Sequence, residues 1–132
     1  MQRRQALSSI VAAVLGAATT LCMAQAAEPQ QFPNVLAAKV RASGGDRFDF
    51  DVTVSSPYDS PARYADGIRA RSPEGLTYGV RKLWHDHAAE QPFTRDLYGV
   101  KVPPGVTRVV IEARDQLYGY RGKALGVELP GR

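Results

Sequence analysis

Residues 48–55 alternate strictly between apolar and polar side chains, in the order Phe-Asp-Phe-Asp-Val-Thr-Val-Ser. Because successive side chains of a β-strand point to opposite faces, a period of two indicates a strand with one buried and one wet face. The turn residues Ser43–Asp46 come shortly before this segment, and Val35–Ala42 before them supplies a partner strand. The sequence therefore predicts an antiparallel β-hairpin over residues 35–55.

The rest of the chain repeats this pattern of short apolar segments divided by turns that contain proline or glycine. The predicted strands after the hairpin are 63–71, 76–84, 93–102, 107–114 and 123–129. The fourth of these is the most β-branched, so we expect Val109–Ile111 in the centre of a sheet. Seven short strands without a 3.6-residue period predict an all-β fold, a two-sheet antiparallel sandwich in one domain over residues 35–132.

Two of these strands carry more specific expectations. In strand 76–84 one parity holds the apolar residues Leu76, Tyr78, Val80 and Trp84. We expect that parity to face the core, with Lys82 interrupting it near a sheet edge. In strand 93–102 the apolar residues change parity, which predicts a β-bulge near Asp96.

The first 27 residues are predicted to be a signal peptide that is removed on export. Two N-terminal arginines precede an uncharged apolar stretch, which is followed by small residues at Ala24, Ala26 and Ala27, the pattern that a signal peptidase cleaves. An uncleaved membrane anchor and a lipid-bearing Cys22 are the alternatives. The arginine pair leaves both the Sec and the twin-arginine routes open. We therefore expect a periplasmic or secreted protein in which residues 28–34 form a flexible lead-in.

Removal of that segment takes away the single cysteine and both methionines, and it leaves 15 basic and 13 acidic residues, a net charge of +2. Without cysteine, disulfides, thiolate metal sites and cysteine nucleophiles are excluded. Basic residues scattered among acids do not make the clustered basic face that nucleic acids require, so we expect no nucleic-acid partner. We also expect no stable membrane insertion once the signal peptide is gone.

Two stretches of the chain resemble known protein classes. The segment Val109-Val110-Ile111-Glu112-Ala113-Arg114-Asp115, followed by Gly119-Tyr120-Arg121-Gly122-Lys123, resembles the last hairpin of immunoglobulin-like and fibronectin type III-like domains. The segment from His85-Asp86-His87 to Glu90-Gln91-Pro92-Phe93-Thr94-Arg95 resembles small exported bacterial proteins of uncharacterised function. The resemblances imply an immunoglobulin-like sandwich and export, and they bring no activity with them.

His85 and His87 are the only histidines of the chain, and acidic residues flank them. Residues two apart on a strand project to the same face, so both imidazoles could bind one ion together with Glu90. Imidazole and carboxylate ligands suit copper or zinc. The alternative is that these are surface histidines at a strand end and that the protein holds no cofactor.

A second candidate site is a platform for a ligand or partner, and it comprises Trp84, Arg95, Tyr118 and Tyr120. Tyrosine and tryptophan combine apolar area with a polar tip, which suits stacking against a sugar or a partner's side chain. The alternative is structural. Aromatic residues would then seal the ends of the sandwich, Trp84 would pack in the core, and Arg95 would pair with an acid such as Asp115 instead of clamping a carboxylate or phosphate.

Catalytic patterns such as a G-x-S-x-G elbow, an H-E-x-x-H helix or a phosphate-binding glycine loop do not occur in the sequence. We therefore expect a non-enzymatic periplasmic or secreted module for protein binding or envelope assembly, with another envelope protein as its partner. The alternative is an envelope metal-binding protein that holds copper or zinc with the His-x-His segment.

Overall fold

The computed structural model of the chain describes residues 28–132, together with Ala13 and Gly16. The predicted signal peptide and its cleavage site fall almost wholly outside the described residues. Within residues 28–132, no helix is long and apolar enough to cross a membrane.

Residues 28–132 form seven strands, and each corresponds to a strand predicted from the sequence. They are β1 (Asn34–Gly44), β2 (Arg47–Ser55), β3 (Ala65–Arg71), β4 (Thr77–Lys82), β5 (Phe93–Lys101), β6 (Arg108–Asp115) and β7 (Leu125–Glu128). The all-β prediction is confirmed.

The strands form two antiparallel sheets that pack face to face. One sheet has the order β1-β2-β5 and the other has the order β4-β3-β6-β7. The predicted hairpin is present as the β1–β2 pair, in which Val40 lies opposite Phe50. β6 lies between β3 and β7, so Val109–Ile111 is central in its sheet, as expected. The predicted two-sheet sandwich is therefore confirmed.

The core lies between the sheets and is made of the inward parity of each strand. In β2 the alternation of residues 48–55 is observed directly, because Phe50, Val52 and Val54 are fully buried. From the facing sheet, Ile68 and Ile111 are also fully buried. The apolar half of each alternating pattern therefore supplies the interior.

The predicted inward face of β4 is wrong. Val80 and Trp84 are exposed, and of the expected apolar set only Tyr78 packs against the core. The opposite parity faces inward, because a Cβ built on Gly79 would lie 3.0 Å from a Val100 methyl group and Leu83 is buried. Glycine lets β4 approach β5 closely at this point, which turns the larger side chains outward. Lys82 does lie on an edge strand, as predicted.

The bulge predicted near Asp96 lies slightly later in β5. The β2–β5 register pairs Phe48 with Val100 and Phe50 with Leu97, so Tyr98 and Gly99 together lie opposite Asp49 and β5 has one extra residue here. Gly99 has a φ of 65°, a conformation that glycine adopts without strain. The bulge changes the parity of β5 and allows both Leu97 and Val100 to face the core.

Candidate functional site

The outer face of β4 and of the segment just after it exposes two large apolar side chains. Val80 is 59% exposed and Trp84, two residues past the end of the strand, is 76% exposed, and we name the two the β4 row. Leu76 is also exposed, at 65%, but the β3–β4 register leaves Tyr78 as an extra residue, so Leu76 lies on the other face, beside Pro103 and Pro104. Exposed large apolar groups that lie near each other on a small protein can mark an interaction surface.

The backbone of β4 is free on the side away from β3. Leu83 donates its N–H to the Asp66 carbonyl at 2.8 Å, and in an antiparallel pair bonded and non-bonded positions alternate. The register pairs Lys82 with Gly67 and Val80 with Arg69. Counted from the bonded pair Leu83–Asp66, these are the non-bonded pairs of the β3–β4 ladder, so the N–H and C=O groups of Val80 and Lys82 point away from β3, toward the open edge. Among the described residues, no loop backbone hydrogen bond reaches these two positions.

The other edge strand on this side of the sandwich is partly covered. Arg81 reaches from β4 to β5, where it donates to the backbone carbonyl of Asp96 at 2.8 Å and pairs with the same residue's carboxylate. A side chain therefore occupies an acceptor on the β5 edge, and the open edge of β4 is the more accessible of the two.

The charges around the β4 row are largely balanced within the sheet. Glu112 pairs with Arg69 at 2.7 Å and with Arg71 at 2.5 Å. Burial raises the pKa of the Glu112 carboxyl, but the two guanidinium groups outweigh burial and the pKa lies below its usual range. Lys82 lies 5.1 Å from the centroid of the Trp84 ring, within reach of a cation–π contact.

The structure places the two histidines in different environments. His87 is buried and stacks on Phe93 with ring centroids 3.8 Å apart, whereas His85 is exposed. The backbone N–H of His87 donates to Asp59 at 3.2 Å, and its Nδ1 lies 3.4 Å from the same carboxylate. Burial, followed by the charge of Arg95, lowers the pKa of His87. His87 therefore connects the loop that carries Asp59 with Phe93 of β5.

The proposed metal ligands are only partly brought together. The rings of His85 and His87 lie 5.7 Å apart, but Glu90 is bound by Arg95 at 3.0 Å. In the part of the chain that the structure describes, no group of three or more His, Cys, Asp or Glu side chains is arranged to hold a metal ion. The copper or zinc site stays a prediction. Arg95 does pair with an acid, as the structural alternative expected, but the acid is Glu90 and not Asp115.

Asp115 is instead the centre of a hydrogen-bonded cluster at the end of the sandwich where the lead-in, residues 28–34, enters the domain. Its side chain is fully buried and accepts hydrogen bonds from Tyr58 at 2.8 Å and from the Arg63 Nε at 3.0 Å. The N–H groups of Leu117 and Tyr118 also donate to it, at 2.9 and 3.1 Å. Burial raises the pKa of Asp115, but these donors outweigh it and the net shift is downward. The cluster fixes the loop that carries the predicted tyrosines.

Tyr118 belongs to this polar cluster, and Tyr120 does not. The Arg63 guanidinium lies 4.7 Å from the Tyr118 ring centroid, and Phe32 meets the same ring edge to face at 5.9 Å. Tyr120 lies over Arg69 at 3.8 Å, on the outer face of the four-stranded sheet. Beside the Tyr118 cluster, an open cleft of about 380 Å³ is lined by Phe32, Asn34, Arg121 and Lys123 among others.

The predicted platform is therefore divided. Trp84 lies past the end of β4, Arg95 lies at the margin of β5, and the two tyrosines contact different arginines. The sequence prediction included Trp84 but missed Val80, because it assigned the parity of Val80 to the core. Gly79 was the available signal, since glycine within a strand often marks a close backbone approach.

Comparison with known proteins finds one relative. A protein of Halomicrobium mukohataei described as "Putative lipoprotein" is 36% identical over 95 residues, which cover 72% of this chain and 46% of that protein. The chain thus spans somewhat less than half the length of the relative it matches. No protein-family model matches the chain. No solved structure matches it either.

Proposed function

We propose that this chain is an exported, envelope-associated β-sandwich module, without enzymatic activity, that binds another protein through the β4 row. The observation that carries the proposal is the exposure of Trp84, at 76%, beside Val80 and an open strand edge. Tryptophan is among the residues that contribute most to protein interfaces when a partner buries it. An open edge also offers backbone hydrogen bonds to an extended partner segment.

The β4 row alone gives a modest gain in free energy on binding. Complete burial of a large apolar side chain contributes about 1.5–3 kcal/mol, so Val80 and Trp84, which start roughly two-thirds exposed, contribute on the order of 2–4 kcal/mol. Association itself costs several kcal/mol. Backbone hydrogen bonds at the β4 edge are therefore needed for a stable complex, and the proposal combines the two.

Export and envelope association have separate support. The sequence begins with a predicted signal peptide, and the relative with 36% identity carries the description "Putative lipoprotein". The predicted signal peptide and the description of the relative both support a location in the cell envelope. We propose a periplasmic or secreted location for the mature chain.

The absence of enzymatic activity is also part of the proposal. Three buried or half-buried carboxylates of the chain already bind other groups of the fold. Asp59 accepts hydrogen bonds from backbone N–H groups, Asp115 pairs with Arg63, and Glu112 pairs with Arg69. Groups that are fully engaged in this way are not available to transfer protons to a substrate.

We further propose that the sandwich is immunoglobulin-like in its fibronectin type III-like form. The first, second and fifth strands share a sheet, and the fourth strand joins the third, sixth and seventh. In a constant-type immunoglobulin domain the fourth strand belongs to the other sheet. The position of β4 therefore supports the fibronectin-like alternative, and an experimental structure that placed β4 beside β5 would contradict it.

Affinity capture from an envelope extract tests the binding proposal. Processed protein, the Trp84→Ser variant and a Leu117→Ser control are immobilised in parallel, since Leu117 is also exposed, at 62%, but lies in the loop after β6. We expect one protein to be retained by the unmodified chain and by the control, and to be lost with Trp84→Ser. Equal retention by all three would contradict the proposal.

The metal alternative has less support from the structure, because Arg95 already binds Glu90 and Asp59 faces the buried His87. Titration with Cu(II) and Zn(II) tests it. A dissociation constant tighter than about 10 μM that is lost in the His85→Ala, His87→Ala double variant would favour the metal function over the binding module.

A further inference from the structure

We propose that the open cleft between the lead-in and the loop from β6 to β7 binds a phosphate group through Arg121 and Lys123. We name this space, of about 380 Å³, the lead-in cleft. The inference goes beyond the proposed function, because it assigns a small-ligand site to residues outside the β4 row. The volume is within the range of small-molecule sites in proteins, roughly 300–1,000 Å³.

Hydrogen bonds and close packing hold the two walls of the lead-in cleft together. Val35 donates its N–H to the Lys123 carbonyl at 2.9 Å, and the Lys123 N–H donates to Asn34 Oδ1 at 2.8 Å. Gly122 packs directly against the Pro33 carbonyl and leaves no room for a Cβ atom. The cleft is therefore formed before a ligand enters, and binding need not order its walls.

The two cations of the lead-in cleft have no acidic partner among residues 28–132. Every other arginine in that range except Arg47 pairs with an acid. The 27 residues before the lead-in contain no aspartate or glutamate that could serve instead. Glu28 also lines the cleft, so the lining carries two cations and one carboxylate. An anion in the cleft would meet positive charge that the fold leaves uncompensated.

The hydrogen-bond donors at the cleft suit the oxygens of phosphate. Arg121 offers a fork of N–H groups, and Lys123 offers an ammonium group. Because Asn34 uses its Oδ1 as an acceptor, its NH₂ group is left as a donor, and it has no acceptor among the described residues. A phosphate monoester presents three terminal oxygens and a charge of about −1.5 to −2 at pH 7. It can accept from all three side chains, whereas a carboxylate has only two oxygens and a single charge.

Phe32 supplies an apolar wall for the molecule that carries the phosphate. Its half-buried ring lies 5.9 Å from the Arg121 guanidinium and meets the Tyr118 ring edge to face. The segment before it is fixed at Gln30, whose side chain donates to the Ser55 carbonyl at 2.6 Å. An aromatic wall beside the cations favours an organic phosphate over inorganic phosphate. A soluble phosphate ester and a lipid headgroup offer this same chemistry.

Titration of the isotope-labelled processed chain with phenyl phosphate, followed by NMR, tests the site. We expect saturable shifts of the Gly122 and Lys123 amide signals, with a dissociation constant tighter than about 1 mM. The Arg121→Gln, Lys123→Gln double variant should bind at least tenfold more weakly, because it loses two charge-assisted contacts. It should still fold, since Lys123 holds the lead-in through its backbone.

The matched control is the Arg47→Gln, Lys101→Gln double variant. These residues lie opposite each other on β2 and β5, and both are exposed. The control removes the same two charges from outside the lead-in cleft, so it should keep the affinity of the unmodified chain. Equal weakening by the two double variants, or no saturable shift up to about 10 mM phenyl phosphate, would overturn the inference.

Vesicles of phosphatidylcholine with and without phosphatidic acid distinguish the two sources of the phosphate. Retention that requires both phosphatidic acid and the two cations assigns the site to a lipid headgroup. Binding of phenyl phosphate without retention on either vesicle assigns it to a soluble ester. Trp84→Ser should leave the affinity for phenyl phosphate unchanged, so failure of this site and failure of the β4 row are separate results.

Discussion

Replacement of Asp115 by asparagine is expected to destabilise the domain strongly. The carboxylate is fully buried and receives hydrogen bonds from Tyr58, Arg63 and two loop N–H groups. Asparagine keeps the shape of the side chain but removes its charge. Its NH₂ group must also face at least one of the existing donors.

The magnitude follows from the burial of the two partners. Removing one member of a buried ion pair typically costs about 3–5 kcal/mol, because the other charge is left uncompensated. The Arg63 side chain is 27% exposed and so regains part of its hydration. We therefore expect a loss of about 2–4 kcal/mol, out of the roughly 5–15 kcal/mol that stabilises a domain.

Urea unfolding followed by circular dichroism measures this loss. With an m value of about 1.5 kcal/mol per molar urea, the midpoint should fall by about 2 M. Asp96→Asn is the matched control, since its pair with Arg81 is half exposed and should be worth less than about 1 kcal/mol. If both variants lose the same small amount, the assignment of Asp115 as the centre of the cluster is refuted.

Two further predictions concern the loops. Because burial, followed by the charge of Arg95, lowers the pKa of His87, folding disfavours its protonation, so stability should decline as the pH falls below about 6.5 toward the folded-state pKa. His87→Gln should remove that decline in urea midpoints measured from pH 7.5 to 5, and His85→Gln should retain it. A Cβ on Gly122 would lie 1.6 Å from the Pro33 carbonyl oxygen, so Gly122→Ala should displace the lead-in. We expect a loss of about 1–3 kcal/mol and faster proteolysis before β1, and an unchanged melting temperature would contradict this contact.

Local pattern predicted the strands well. The alternation of residues 48–55 defines β2 because a period of two has a direct geometric meaning, and its apolar parity is the buried one. The same period in β4 was misassigned, since periodicity does not state which parity faces the core. There a glycine, Gly79, faces inward against Val100, and the larger apolar residues face solvent. Apolar residues need not be buried, and Trp84 illustrates this.

The local sequence pattern could not predict which charged residues pair across the fold. An acid such as Asp115 was the expected partner of Arg95, but Arg95 binds Glu90 and Asp115 binds Arg63, which lies 52 residues away in sequence. Which of 15 basic residues meets a given acid depends on strand order and register, and neither is encoded locally. The β4 row escaped prediction for a related reason, because an exposed edge is a property of the assembled sheet.

Trp84 is the single tryptophan of the chain, so its fluorescence reports directly on the proposed binding surface. In dilute processed protein, we predict an emission close to that of unfolded protein and ready quenching by acrylamide. With a captured partner, the emission should shift to shorter wavelength and the quenching should fall. A tryptophan already protected in the dilute monomer, or one unchanged on association, would contradict the account.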